Sequence, residues 1–246
     1  MIVFKVILCV TGVNMENHEG DTDNKPYAWA KYLIYDQVLF CFIKYIKAGV
    51  RVMKMAFILF DGMTTLDLTG FTEAITWLGI LNAVENVSWD FCGIQEEIID
   101  DRGMIIKTKN VCVDLSQYDL IFVPGGMTTR QLRNDEEFLL WLQTAKDVKY
   151  KVSVCTGALL LGASGFLSGK KATTNPSAYE LLAPYCSEVV NTRIVRDGTI
   201  FTGGGVSSSI DLGLFIVEYL TNVEVVQKIQ TKMDYPYYQT GKNIKI

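Results

Sequence analysis

The sequence predicts an α/β fold: a mostly parallel sheet covered on both faces by helices. Three observations carry this. Strand-like and helix-like segments alternate along most of the chain. The strand-like segments are continuously apolar instead of alternating, which is the pattern of strands buried on both sides. One of them, at Val152–Val154, stops at Cys155, turns at Thr156-Gly157 and leads straight into a helix-like run, Ala158 to Ala163, the sequence of a nucleophile elbow.

Composition sets the bounds. The chain has 246 residues, 49% of them hydrophobic, enough for one large domain or a domain with an extension. The net charge is −4 and no long basic run occurs, so nucleic acid is not expected as a partner. The six cysteines (Cys9, Cys41, Cys92, Cys112, Cys155, Cys186) form neither a C-x-x-C pair nor a zinc-like spacing. Free thiols in a reducing compartment, hence a cytoplasmic location, fit them better than a disulfide framework. With His18 the only histidine, a Cys–His dyad would have to use it, and a multi-histidine metal site is excluded.

Two domains are expected, at 1–53 and 54–246. In the first, Met1 to Val10 is apolar but broken by Lys5, and fits a signal peptide poorly. Thr11 to Pro26 is polar and reads as a surface loop, with His18 an exposed member of it. Residues 27–47 read as an amphipathic helix, with Ile34, Val38, Cys41 and Tyr45 on one face and Asp36, Gln37, Lys44 and Lys47 on the other. That helix would pack on the domain or on a partner. Charge interrupts it too often for a membrane span, though an interfacial anchor is a second reading. A third is that the segment is an artefact of a start codon placed too early, with the true start at Met53 or Met55.

In the second domain, Met55–Phe60 reads as a strand, Asp61-Gly62 as a loop, and Leu66–Gly79 as a helix with Leu68, Phe71, Ile75 and Leu78 inward. Val87–Gly93 is a second strand. Asp101-Arg102-Gly103 turns a hairpin between Ile98-Ile99 and Met104–Ile106. Leu120–Val123 is a buried strand ended by Pro124-Gly125-Gly126. Asn134 or Asp135 caps a helix that buries Phe138, Trp141, Leu142 and Ala145. After the elbow, Lys171–Thr174 reads as a strand, and Asn175-Pro176 opens a helix through Leu182. Arg193–Thr202 is a hairpin around Arg196-Asp197-Gly198, and Ser207–Leu220 a buried helix, the last in the chain.

Sites in such folds lie beyond the carboxyl ends of the strands. Four groups fall there: 61–67, Pro124–Met127, Cys155-Thr156 and Gly203–Asp211. At Cys155 the following helix would favour thiolate, the nucleophilic form; a cysteine packed as a small hydrophobe suits the same place. Asp67 is either a carboxylate favoured by the helix dipole or an acid beside the sulfur, kept protonated to act as general acid. Thr156 is a turn residue or an orienting hydroxyl. Gly125, Gly126 and the amide after Cys155 make a plain turn or an oxyanion site. Gly203–Gly205 lacks a phosphate-loop spacing and is read as tight packing. Asp211 is a first-turn helical acid or a polar group of the pocket.

The ordered set of motifs resembles the ThiJ/PfpI superfamily, and within it the isonitrile hydratase-like branch. It comprises Phe-Asp-Gly-Met-Thr-Thr-Leu-Asp-Leu-Thr-Gly at 60–70, Val-Pro-Gly-Gly at 123–126 and Ser-Val-Cys-Thr-Gly-Ala-Leu-Leu-Leu-Gly at 153–162. Leu-Ser-Gly-Lys-Lys-Ala-Thr-Thr at 167–174, Thr-Gly-Gly-Gly-Val at 202–206 and Ile-Asp at 210–211 complete it. The resemblance implies a flavodoxin-like three-layer sandwich, usually a homodimer, acting on a small-molecule substrate. It implies Cys155 as nucleophile, Asp67 as its carboxyl partner, and Thr156 and Asp211 in the same pocket. The implied reaction is hydration of an isonitrile to an N-formamide through a thioimidate, with no metal or organic cofactor. Two departures bear on the substrate wall: Asn175-Pro176 stands where the branch usually has His-Trp, and Val206–Ser209 differs from the usual stretch. Asn175 is therefore expected among the substrate-binding groups. Two alternatives are a non-catalytic sensor domain related to AraC-type regulators and a redox or carbonyl-detoxifying thiol protein. Thr156, where the peptidase-like and glyoxalase-like members place histidine, argues against those branches.

Overall fold

The computed structural model describes residues 53–241. The expected loop with His18, the amphipathic helix at 27–47 and the proposed 1–53 extension lie outside the described residues, apart from Met53.

A seven-stranded sheet forms the middle layer, in the order β10-β11-β7-β6-β1-β2-β5. Its centre is β1 (Met53–Ile58), β6 (Leu120–Val123), β7 (Tyr150–Val154) and β11 (Ile200–Gly203), all mutually parallel. Their residues are almost all fully buried, as unbroken apolar runs require. β2 (Val87–Gly93) and β5 (Asn110–Val111) extend the sheet in parallel on one side. On the other side β10 (Ile194–Asp197) pairs antiparallel with β11, as the hairpin around Arg196-Asp197-Gly198 predicts. A separate hairpin joins β3 (Glu97–Ile99) to β4 (Ile105–Lys107).

Helices flank this sheet. α1 (Thr65–Ile80) and α6 (Ser208–Leu220) pack against each other. Their approach is so close that a side chain on Gly213 would begin 2.6 Å from Ala74 Cβ and 3.1 Å from the Phe71 carbonyl oxygen. Beneath α1, Phe71 lies flat on Phe122 of β6, ring centroids 3.9 Å apart. α4 (Gly157–Ala163) follows the elbow and packs on β6 and β7, beside α2 (Thr129–Leu132) and α5 (Tyr179–Leu182). α3 (Glu136–Gln143) is capped by Asp135, whose carboxylate accepts the Phe138 N–H at 2.9 Å.

Several expectations are corrected. The first strand begins two residues earlier than predicted and ends at Ile58; Leu59 and Phe60 are buried but lie beyond it. The predicted strand at Lys171–Thr174 shrinks to β8 (Lys171–Ala172), which pairs with β9 (Glu188–Val189) outside the main sheet. Asn175-Pro176 opens a 3-10 turn, Pro176–Ala178, before α5. Ser207–Leu220 is not the last helix: α7 (Val223–Lys232) follows, capped by Asn222 and burying Val226 and Ile229. Its polar face dilutes the apolar signal that marks α6.

Candidate functional site

The carboxyl ends of β1, β6, β7 and β11 bring the four predicted groups to one edge of the sheet. The loop after β1 is tied to the loop after β6: the Thr64 N–H donates to the Gly125 carbonyl at 2.8 Å, and Met63 bridges to Gly126. Cys155 sits one residue past β7 with φ of 52°, the left-handed region that a non-glycine residue enters at a cost. Its carbonyl accepts the Thr174 hydroxyl at 2.6 Å, and its N–H donates to the Gly203 carbonyl at 3.0 Å. These two bonds, from neighbouring segments on one side, hold the strained elbow in place.

Asp67 enters from the first turn of α1. It is fully buried, and its Oδ2 accepts the Gly125 N–H at 2.8 Å. Gly125 is a packing necessity here. A side chain on it would begin 2.7 Å from Cys155 Cβ, 2.7 Å from the Thr156 nitrogen and 2.8 Å from Asp67 Oδ2. That single point measures how closely thiol, helix start and carboxyl converge. The second carboxyl oxygen, Oδ1, is buried without a hydrogen-bond partner of good geometry among the described residues. An ionised carboxylate in that state is costly, and burial pushes Asp67 up to about 7 against the pull of the Gly125 N–H and the Cys155 thiol.

Cys155 responds in the same direction. Burial, then the charge of Asp67, raises it to about 11, while the Thr156 N–H and the Asn175 side chain act to lower it. This overturns the expectation of a resting thiolate. The helix start does favour the charged sulfur, but with 6% of the residue exposed and an acid alongside, desolvation and like charge outweigh it. At neutral pH the sulfur carries its proton and the carboxyl is poised to exchange one.

The glycine amides are not the open donors that an oxyanion site needs. The Gly125 N–H is occupied by Asp67. The Gly126 N–H donates to Thr156 Oγ1 at 3.0 Å, and the Thr156 hydroxyl donates back to the Gly126 carbonyl at 2.9 Å. Thr156 thus clamps the Pro124–Met127 turn against the elbow. Asn175 is half-buried beside Cys155. Its Oδ1 accepts both the N–H and the hydroxyl of Ser177, at 3.0 and 2.8 Å, which turns the NH₂ end of the amide toward the sulfur.

Asp211 is placed apart from this group. Its Oδ2 pairs with Arg193 and its Oδ1 accepts the Tyr235 hydroxyl at 2.9 Å, so both oxygens are engaged. Arg193 also donates to the Ser207 carbonyl at 3.0 Å, fixing the start of α6. Sequence reasoning gave neither Arg193 nor Tyr235 a role at the site; both lie outside the motifs, one at a hairpin foot and one beyond the expected last helix. A cavity of about 690 Å³ lies around α7 and the turn after it, lined by Gln227, Gln230, Thr231, Asp234 and Tyr235 among others. None of its lining belongs to the Cys155 cluster. Among the described residues no group of three His, Cys, Asp or Glu side chains is placed to hold a metal ion.

Residues 53–219 match the model of the DJ-1/PfpI family. The isonitrile hydratase of Pseudomonas putida is 35% identical over 193 residues, covering 77% of this chain and 82% of the relative. Among solved structures, a ThiJ/PfpI family protein from Pseudomonas syringae superposes with a TM-score of 0.68 at 22% identity, covering 93% of this chain and 87% of the other. Drosophila melanogaster DJ-1beta superposes with a TM-score of 0.66 at 20% identity, covering 76% of this chain and all (100%) of the other. At these identities the two structures speak for the fold alone: the flavodoxin-like α/β sandwich that the sequence predicts.

Proposed function

This chain belongs to the DJ-1/PfpI family, and we propose that it is a hydro-lyase that adds water to an isonitrile, R–N≡C, giving the N-formamide R–NH–CHO at Cys155. The observation that carries the reading is the couple itself: a fully buried carboxyl with a pKa of about 7, converging with a buried thiol at the elbow. The likeness to an isonitrile hydratase supports the choice of substrate.

The chemistry follows from where the protons sit. Asp67, as carboxylate, takes the proton of Cys155 as the sulfur attacks the terminal isonitrile carbon. The same carboxyl then delivers that proton to the carbon, so that S–H has added across it and a thioimidate, R–N=CH–S–Cys155, results. Water adds to this carbon in the second half, one of its protons passing to Asp67 and one to the nitrogen. As the C=O bond forms, the C–S bond breaks and Asp67 returns a proton to the sulfur. A group with a pKa near the working pH serves both as base and as acid, which this cycle asks of it twice. Asn175 and the Thr156 N–H stabilise the charge that develops on sulfur. Thr156 holds the loop that carries Gly126, and Asp211 anchors the start of α6.

We also infer a cytoplasmic homodimer. The four cysteines among the described residues are free, which suits a reducing compartment. Ile99, Met104 and Ile105 of the β3–β4 hairpin are each more than half exposed and supply an apolar contact face. Among the described residues no helix is long and apolar enough to cross a membrane.

The test is chemical. Purified protein is mixed with phenyl or cyclohexyl isonitrile, and formamide is followed by NMR. Formation by the wild type and its loss in Cys155→Ala are expected. Equal turnover by both proteins sinks the mechanism, and none by the wild type sinks the hydratase reading.

A further inference from the structure

We infer that Arg130 and Ser177 form a carboxylate subsite beside Cys155, so that the isonitrile this protein takes carries a carboxylate at its far end. This rests on the hydratase reading above and adds the substrate class to it.

Arg130 stands on α2, four residues past Gly126, and reaches across to the Asn175–Ser177 turn. One terminal nitrogen donates to Ser177 Oγ at 3.2 Å, and the other meets only the Met127 sulfur, a weak acceptor, at 3.5 Å. Its guanidinium, with five donors in a flat fork, is therefore short of acceptors. Other cations toward this edge are neutralised: Arg193 by Asp211 and Arg102 by Asp101. Arg130 makes no ion pair among the described residues. The neighbouring Arg133 is bonded to the Arg130 and Leu181 carbonyls.

Its place relative to the thiol gives the spacing. Arg130 bonds Ser177, Ser177 bonds Asn175, and Asn175 lies against the Cys155 sulfur. The guanidinium is thus separated from the reacting sulfur by one hydroxyl and one amide, a gap that a ring-sized spacer bridges. On the α1 side the charge is opposite. Asp100 and Asp101, on the β3–β4 turn, are held by the Thr65 and Thr64 hydroxyls, and Asp101 is near enough to raise Asp67. An anionic tail is repelled from that side and drawn to the α2 side, leaving the isonitrile carbon toward Cys155. One planar cation assisted by one hydroxyl matches a singly charged, planar carboxylate.

The experiment compares 4-isocyanobenzoate with phenyl isonitrile in wild type, Arg130→Gln and Arg130→Lys. The expected result is a preference of the wild type for the acid of about tenfold in kcat/KM, the worth of a charge-assisted pair. It resides in KM, collapses toward one in Arg130→Gln and is partly restored in Arg130→Lys. Reading the ratio cancels any effect of Arg130 on Asn175 that both substrates share. No preference in the wild type, or one unchanged in Arg130→Gln, overturns the subsite. If neither isonitrile is hydrated, the hydratase reading has failed, and calorimetric binding of 4-formamidobenzoate against formanilide judges the subsite by itself. Tighter binding of the acid, lost in Arg130→Gln, supports it; equal binding overturns it.

Discussion

Asp67 Oδ2 and Cys155 Cβ lie 2.8 and 2.7 Å from one point, the place where a side chain on Gly125 would begin. Two groups that each want a proton have been brought together at the end of a buried sheet, and the backbone between them has no room for a methyl group. Burial raises both, the carboxyl to about 7 and the thiol to about 11. The couple therefore rests with its proton on sulfur and with a carboxyl able to move it.

Gly125→Ala tests the closeness itself. The added methyl overlaps the elbow, so the loop or α1 must shift, at a cost of about 1–3 kcal/mol. A urea midpoint lowered accordingly, with turnover lost in the protein that remains folded, is expected. A variant with wild-type stability and turnover would show that the site is looser than described.

Asp67→Asn keeps the shape and removes the exchangeable proton. An amide oxygen still accepts the Gly125 N–H, so folding is retained. The kcat for isonitrile hydration should fall by about 10²–10⁴-fold, the usual worth of a positioned acid–base. The inflection near pH 7 in the wild-type profile should vanish with it.

The same carboxyl makes stability depend on pH, with a definite sign. Its folded pKa, about 7, is above the ordinary aspartate value of 3.8. The folded state thus holds the proton more tightly, and the stability this contributes is complete below about 4 and is lost as pH rises through about 7. A shift of this size is worth on the order of 4 kcal/mol. Chemical denaturation at pH 4.5 and 7.5 should show wild type losing stability relative to Asp67→Asn over that interval. Parallel behaviour of the two proteins would contradict a raised carboxyl.

Thiol reactivity separates the described cysteines. Cys112 is exposed, whereas Cys155 is buried and raised by burial and by the charge of Asp67. Iodoacetamide at pH 7 should therefore label Cys112 before Cys155, as read by peptide mass spectrometry. Removing the carboxyl charge in Asp67→Asn should speed labelling of Cys155. Cys155 labelled first in the wild type would restore the resting thiolate that its helix start suggests.

Much of this architecture was legible in the residues. Unbroken apolar runs at Leu120–Val123 and before Cys155 mark central parallel strands because nothing else buries both faces of a strand. Asp135, Asn175 and the Asp-Gly pair at 197–198 announce caps and a hairpin through their own hydrogen-bonding chemistry, and all three are found in those roles. What escaped depends on contacts between distant parts of the chain. The short strand β8 at Lys171-Ala172 pairs with Glu188-Val189 and not with the main sheet, and no local pattern says so. α7 buries only Val226 and Ile229, too little to stand out from a polar tail. At the site, the motifs name Cys155 and Asp67, but the protonation of the sulfur is a balance between a helix start that lowers its pKa and a burial that raises it. Only depth decides that balance, and depth is a property of the fold. Likewise nothing near Asp211 in the sequence marks Arg193 and Tyr235 as its partners.

The most direct test of the account is to catch the bond to sulfur. Protein turning over phenyl isonitrile labelled with ¹³C at the terminal carbon is quenched in acid and digested, and the Cys155 peptide is weighed. The account predicts that this peptide alone gains the mass of one isonitrile, and that the gain disappears when the substrate is exhausted. Formanilide produced with no such adduct, and produced equally by Cys155→Ala, would contradict it.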